Sequence, residues 1–286
     1  MRMLELFSGI GGWRFAAPVG TAVAAAYDVS PAANATYQLN HGHAPVNREL
    51  ATIPGSDLAA WGADTWVMSP PCQPYTRMGN HADLADPRAS ALINLLDILR
   101  SAPPRNLVVE NVEGFLESES HARLRSVLDD LGLHVLTFRI CPTRLGVPNQ
   151  RPRVYLVATQ ERREARPLPE ATPGPLLDFL DPGEDSDLYL PEAVRERHWM
   201  GLDLVRATDR RSACFIGGYG KRFVGSGSFL VTERGVRRFS PTEVGRLLGL
   251  PPTFQFPEGL SLEKRYKLLG NGLSIPVARW VLSHLG

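Results

Sequence analysis

The chain has 286 residues, 43% hydrophobic and 21% charged, with a formal net charge of +1, which suits a soluble globular protein with one large domain and a smaller one. No apolar run is long enough to span a bilayer, and the N-terminus opens on a strand-like run rather than a signal peptide. Three widely spaced cysteines, Cys72, Cys141 and Cys214, with no CxxC pair, argue against a disulfide scaffold or a metal site and for a reducing, cytoplasmic compartment. The near-zero net charge hides an asymmetry: residues 170–192 hold seven acids and no Lys or Arg, whereas residues 210–238 hold seven Lys or Arg against the single acid Glu233.

In chain order, Met3–Phe7 is a short strand candidate that runs into Ser8-Gly9-Ile10-Gly11-Gly12. Such a Gly-rich turn lets a ligand approach the backbone and presents amide donors to it, although many such turns hold no ligand. Thr21–Tyr27 is a second strand ending at Asp28, where an acid either holds ribose hydroxyls or caps the helix that follows at Pro31–Asn40. Ala51–Ile53 is a third short strand candidate and Thr65–Met68 a fourth. Ser69–Arg77 (SPPCQPYTR) then locks Cys72 between prolines that restrict the backbone on both sides. An isolated cysteine is usually a buried structural one; a stiffly held thiol at a strand end is also a candidate nucleophile.

Ala89–Leu99 has helical spacing and reads as core packing. Asn106–Val109 is a strand leading to Glu110-Asn111-Val112, a position where a carboxylate must be paired or working. A helix over His121–Leu131, stopped by Gly132, precedes strands Leu133–Ile140 and Arg153–Thr159, with Asn149-Gln150-Arg151-Pro152-Arg153 between them. The alternation predicts a mainly parallel sheet covered on both faces, its last strand antiparallel through a hairpin. Ligands bind outside the carboxyl ends of such sheets. The Gly turn, Asp28, Cys72, Glu110 and the Arg151/Arg153 pair all converge on that one rim.

Glu161–Asp187 is a Pro-rich, charged linker into a smaller unit. There Cys214–Leu230 interleaves glycines with Phe215, Tyr219, Lys221, Arg222 and Phe223, a pattern suited either to phosphate pairing with base stacking or to a Gly-rich hairpin with a basic face. Ser240-Pro241-Thr242-Glu243 is a capping box, and an amphipathic helix over about 274–284 closes the chain.

A thiol, a carboxylate and two arginines beside a cofactor pocket fit one reaction. Cytosine C5 becomes nucleophilic when a thiolate adds to C6, provided a carboxyl donates to N3 and a guanidinium holds O2. Cys72, Glu110, Arg151 and Arg153 supply those groups, and the arginines favour the thiolate.

The motifs LFSGIGG (6–12), SPPCQ (69–73), ENV (110–112), NQRPR (149–153) and LLGNGLSIPVA (268–278) resemble, in order, those of the cytosine-C5 methyltransferase family. The likeness is nearest to its Dnmt2 branch, through SPPCQPYTRMGN, LGVPNQRPR and the glycine pattern of residues 214–228. It implies an α/β, Rossmann-like S-adenosylmethionine-dependent methyltransferase domain with a smaller target-recognition domain: catalytic residues 1–160, recognition 161–236, and a segment 237–286 returning to the catalytic domain. It implies S-adenosyl-L-methionine as donor and S-adenosyl-L-homocysteine as product, bound by Phe7, Ser8, Ile10, Gly11, Gly12 and Asp28, with Thr52, Ile53, Ser69 and Asn271 at matching positions. It further implies a monomer acting on cytosine-38 of the anticodon loop of tRNA, most often tRNA-Asp, with Arg77, Cys214, Phe215, Tyr219, Lys221 and Arg222 toward the nucleic acid. The branch usually has Thr where this chain has Ile216, which bears on the tRNA assignment if that Thr touches substrate. The alternatives are a DNA cytosine-C5 methyltransferase of a restriction-modification system and a catalytically silent nucleic-acid-binding relative; the intact residue set argues against the latter.

Overall fold

The computed structural model of the chain describes residues 1–71, 89–183 and 185–286. They pack as two units, one formed by Met1–Ile140, Pro152–Pro167 and Ala278–Gly286, the other by Cys141–Arg151 and Leu168–Val277. Packing thus divides the chain differently from the division the resemblance implies: the Asn149-Gln150-Arg151 stretch and residues 237–277 belong to the second unit.

The first unit carries strands β1 (Arg2–Leu6), β2 (Ala22–Tyr27), β3 (Thr65–Met68), β4 (Asn106–Asn111), β5 (His134–Ile140) and β6 (Arg153–Thr159), in the order β2-β1-β3-β4-β6-β5. The neighbours from β2 to β4 pair in parallel, and β6 runs against both β4 and β5. This is the α/β, mainly parallel sheet with one antiparallel strand that the sequence predicts.

Alternation along β1 shows why both faces are covered. Leu4 and Leu6 enter a cluster with Leu92, Leu95 and Leu99 of α4 (Ser90–Ser101), Leu124 and Val127 of α5 (Glu119–Asp130) and Leu58 of α3 (Gly55–Ala59). On the opposite face Trp13 of α1 (Gly12–Ala16) packs edge-on to Tyr155, and Glu5 of β1 meets Tyr37 of α2 (Pro31–His41). Helix α2 starts where Ser30 accepts from Ala33 N and Pro31 presets the first turn. It stops at Gly42, whose φ of 80° closes the last turn.

Ala51–Ile53 is not a strand. Leu50 and Ile53 are pulled into the core instead, and Asn94 of α4 donates its side-chain amide to both of their carbonyls, at 2.8 and 3.0 Å. Those side-chain bonds satisfy the backbone that a sheet ladder would otherwise have to satisfy.

The second unit holds α6 (Glu192–His198) and a three-stranded sheet of β7 (Asp203–Val205), β8 (Ser228–Thr232) and β9 (Gly235–Arg238). Helices α7 (Pro241–Leu248) and α8 (Leu262–Asn271) follow, and α9 (Ile275–Leu282) carries the chain back into the first unit. The predicted capping box is formed at α7: Ser240 accepts from Glu243 N while Glu243 accepts from Ser240 N. After α9, His284 accepts from Arg166 N at 3.1 Å and packs at a tilt against Phe138 of β5, which Trp280 meets edge-on.

Candidate active site

Register sets which groups leave the sheet together. Leu6 pairs with Tyr27 and Met68, and Met68 with Val109. The chain therefore leaves β1, β2 and β3 at one edge, at Phe7, Asp28 and Ser69, level with Glu110 near the end of β4. Antiparallel β6 begins at the same edge, with Arg153 opposite Ile140 and Val154 opposite Asn111. Cys72 and Arg77 lie outside the described residues.

The turn after β1 is held in an uncommon backbone conformation. Phe7 has φ 56°, a left-handed value that costs a non-glycine residue roughly 1–3 kcal/mol. Gly9 (φ 53°) and Gly11 (φ 84°) continue it. Gly9 N donates to Asp28 Oδ2 and Ser30 N to Asp28 Oδ1, both at 2.8 Å, so Asp28 ties the turn to the tip of β2. Asp28 does not cap α2; Ser30 does.

Two observations make the turn able to hold a polar ligand. The Ser8 hydroxyl is buried with no hydrogen-bond partner among the described residues, which costs free energy unless a polar ligand meets it. Among the described residues, and apart from its chain neighbours, no atom lies within 4 Å of the place a Gly9 side chain would occupy, so the backbone there is open to a ligand. Gly11 is different, since a side chain there would run into the His41 imidazole. Its glycine serves packing. Of the other expected cofactor contacts, Ile10 is buried, Gly12 opens α1, Thr52 is exposed, and Ile53 is buried in the core. Ser69 Oγ accepts from Trp13 Nε1 at 3.1 Å, joining the loop after β3 to α1.

Sequence reasoning gave Glu5 no part. It is fully buried on β1, accepts from Trp13 N at 3.2 Å and from the Tyr37 hydroxyl at 3.1 Å, and so ties the exit of the Gly turn to α2. Burial pushes its carboxyl up to about 8, so it is largely neutral at pH 7. Burial, with the Arg14 charge, pushes the neighbouring His41 down to about 4. The signal was present as an acid inside an apolar strand, which only a buried partner makes tolerable.

At the end of β4, Glu110 is 8% exposed and its Oε1 meets Arg153 Nε at 3.3 Å. The next residue, Asn111, donates its side-chain amide to Pro70 O at 3.3 Å, fixing the start of the prolyl loop to β4. Arg151 is a correction. It is 3% exposed and donates to Cys214 Sγ and Phe215 O at 3.2 Å, to Gly270 O at 3.0 Å and to Gly272 O, all within the second unit. With its fork spent on the carbonyls of two segments it positions backbone, and Arg153 is the arginine paired with Glu110.

Phe215 and Tyr219 are corrected too. Phe215 is 4% exposed and Tyr219 fully buried, so neither ring has a face for a base. They form an aromatic core with Phe239 and Tyr266, in which the Tyr219 hydroxyl donates to Ser228 O at 2.6 Å and accepts from Phe239 N at 2.9 Å. Cys214 is half-buried against Arg151. Lys221 and Arg222 are exposed, Lys221 pairing with Glu263 at 2.8 Å. Asn271 is exposed at the end of α8, beside Gly217.

Residues 1–179 and 192–286 match the C-5 cytosine-specific DNA methylase family. The chain belongs to that family. Along its whole length it is 31% identical to the tRNA (cytosine(38)-C(5))-methyltransferase of Schizosaccharomyces pombe, of which 96% is covered. Among solved structures, the Entamoeba histolytica methyltransferase EhMeth superposes with a TM-score of 0.93 at 27% identity, covering 100% of this chain and 97% of that one. The S. pombe Dnmt2 methyltransferase gives 0.89 at 30% identity, covering 99% and 97%. A more distant relative, the type II methyltransferase M.NlaX of Neisseria lactamica, is 27% identical, with 99% of this chain and 96% of that protein covered.

Proposed function

We propose that this chain methylates C5 of a cytosine in tRNA, at position 38 of the anticodon loop, with S-adenosyl-L-methionine as donor. The observation that carries the reading is the Glu110–Arg153 pair at the same sheet edge as the Gly turn and Asp28. It supplies a carboxyl and a guanidinium side by side, as a cytosine ring under attack requires.

The cradle suits that donor: Asp28 would accept ribose hydroxyls on its remaining lone pairs, Ser8 Oγ and the open backbone at Gly9 would take its polar end, and Ser69 would border it. When bound, the donor supplies an electrophilic methyl group. Cys72 adds its thiolate to C6 of the base while Glu110 hydrogen-bonds N3 and Arg153 holds O2, so that charge gathering on the ring is met where it forms. After transfer to C5, loss of the C5 proton and departure of the Cys72 sulfur restore the aromatic ring. Arg151 anchors the backbone around Cys214 and Gly270.

Relatives at 30–31% identity, such as that of S. pombe, are named as tRNA enzymes, and an anticodon-loop base is already partly unstacked, which lowers the cost of extruding it. The competing reading, a DNA methyltransferase, is favoured by the likeness to M.NlaX. A labelled methyl donor offered with tRNA and with duplex DNA separates the two. Label in tRNA at cytosine-38 is expected; turnover on DNA alone would overturn the proposal.

A further inference from the structure

The second unit buries the aromatic rings that the sequence favoured for base contact and exposes others. Trp199 is 52% exposed, Met200 96% and Val224 55%. They sit on two touching segments, the residues that follow α6 and the turn at 222–225. The His198 ring stacks on Phe223 with centroids 5.2 Å apart and planes 23° from parallel. The Arg238 guanidinium lies 4.8 Å from the Phe223 centroid. Gly201 is what lets the segments meet, because a side chain there would come within 2.7 Å of Val224. The outcome is a ridge with an ordered aromatic base and three large apolar side chains in water. Singly such residues need no explanation; grouped, they mark an interaction surface.

Charge selects the occupant. Arg197 on α6 and Arg222 on the facing turn are exposed beside the apolar group, Lys221 next to them pairs with Glu263 at 2.8 Å, and the stretch 210–238 is strongly basic. Glu192 and Glu196 are the acids of α6, and Arg195 lies 4.0 Å from Glu192. Cations flanking an exposed indole match a polyanion with unpaired bases, which offers phosphates and free π-faces together. A duplex hides its base faces, and a second copy of this chain would bring like charges together.

We propose that the 197–200 and 221–224 ridge binds an unpaired segment of the RNA substrate, Trp199 stacking on a base while Arg197 and Arg222 pair with flanking phosphates. The inference rests on the tRNA reading above.

The test uses the full chain and compares wild type with Trp199→Ala, Trp199→Phe and Arg197→Gln/Arg222→Gln. Trp199→Ala is expected to raise KM for tRNA about tenfold, as loss of one base–aromatic stack does, with kcat and donor KM unchanged. Trp199→Phe should recover most of the affinity. The double Arg variant should flatten the salt dependence of binding by about one unit of slope or slightly more. An unchanged KM for tRNA in Trp199→Ala, beside an active wild type, would overturn the ridge alone. A change in oligomeric state with KM unaltered would assign the ridge to a second copy and overturn it as well. A wild type inactive on tRNA would instead refute the reading on which the inference rests.

Discussion

Arg237–Glu243 in the second unit and Arg153–Glu110 in the first are both buried guanidinium–carboxylate pairs, yet the protein spends them differently. Glu243 is saturated: its Oε1 accepts from Arg237 at 2.7 Å and Asp181 N at 2.9 Å, and its Oε2 from Arg237 at 2.8 Å and Ser240 N at 2.7 Å. Side-chain exposure is 4% and 0%, so no capacity remains for a ligand. Glu110 commits one oxygen to Arg153 at 3.3 Å, and the pair keeps 10% and 15% of its side-chain surface. Glu243 is spent inside the protein, whereas Glu110 stands at the sheet edge that also carries the Gly turn and Asp28. Arg151 and Arg153, two residues apart, divide likewise: Arg151 holds the carbonyls of Phe215, Gly270 and Gly272, and Arg153 meets Glu110.

The largest effect is expected at Cys72. Cys72→Ala should lower turnover by at least about 10³-fold while leaving donor affinity within a few-fold, because it removes the nucleophile and none of the cradle. Isothermal binding and single-turnover assays check the two halves. Glu110→Gln should reduce kcat by about 10²–10³-fold, with little loss of melting temperature. Arg237→Met should invert that pattern, costing about 3–5 kcal/mol of stability by stranding the Glu243 charge while kcat per folded molecule is retained. If both variants lost kcat and stability together, the distinction between the pairs would fail.

A smaller effect concerns Glu5. Its folded carboxyl titrates near 8 rather than near 4.5, so between those values the folded state holds more protons than the unfolded one. Stability therefore falls as pH rises through that window and is greatest below it. Glu5→Gln should flatten the slope between about pH 5 and 8 in denaturant titrations, and an identical slope in the variant would contradict the neutral buried carboxyl.

Much of this was legible in the sequence because it rests on local rules. Strand periodicity placed Asp28 and Glu110 at strand ends, and the short connection between Leu133–Ile140 and Arg153–Thr159 predicted the antiparallel return that brings Arg153 to Glu110. What failed depended on partners distant in sequence. Phe215 and Tyr219 look like a nucleic-acid face until Phe239 and Tyr266 are packed against them. Arg151 looks catalytic until Gly270 and Gly272, about 120 residues on, present their carbonyls. Ala51–Ile53 reads as a strand until Asn94 takes the Leu50 and Ile53 carbonyls. Glu5 shows the reverse, an acid in an apolar strand whose role appears only with Tyr37.

The central claim, that this sheet edge activates a tRNA cytosine through Cys72, is tested most directly by covalent trapping. A tRNA carrying 5-fluorocytosine at position 38 is incubated with protein and donor, and the digest is read by mass spectrometry. Fluorine cannot leave C5 as the proton does, so a stable methylated adduct joining Cys72 to the base is predicted. Absence of any adduct from a preparation that methylates ordinary tRNA at that position would contradict the account.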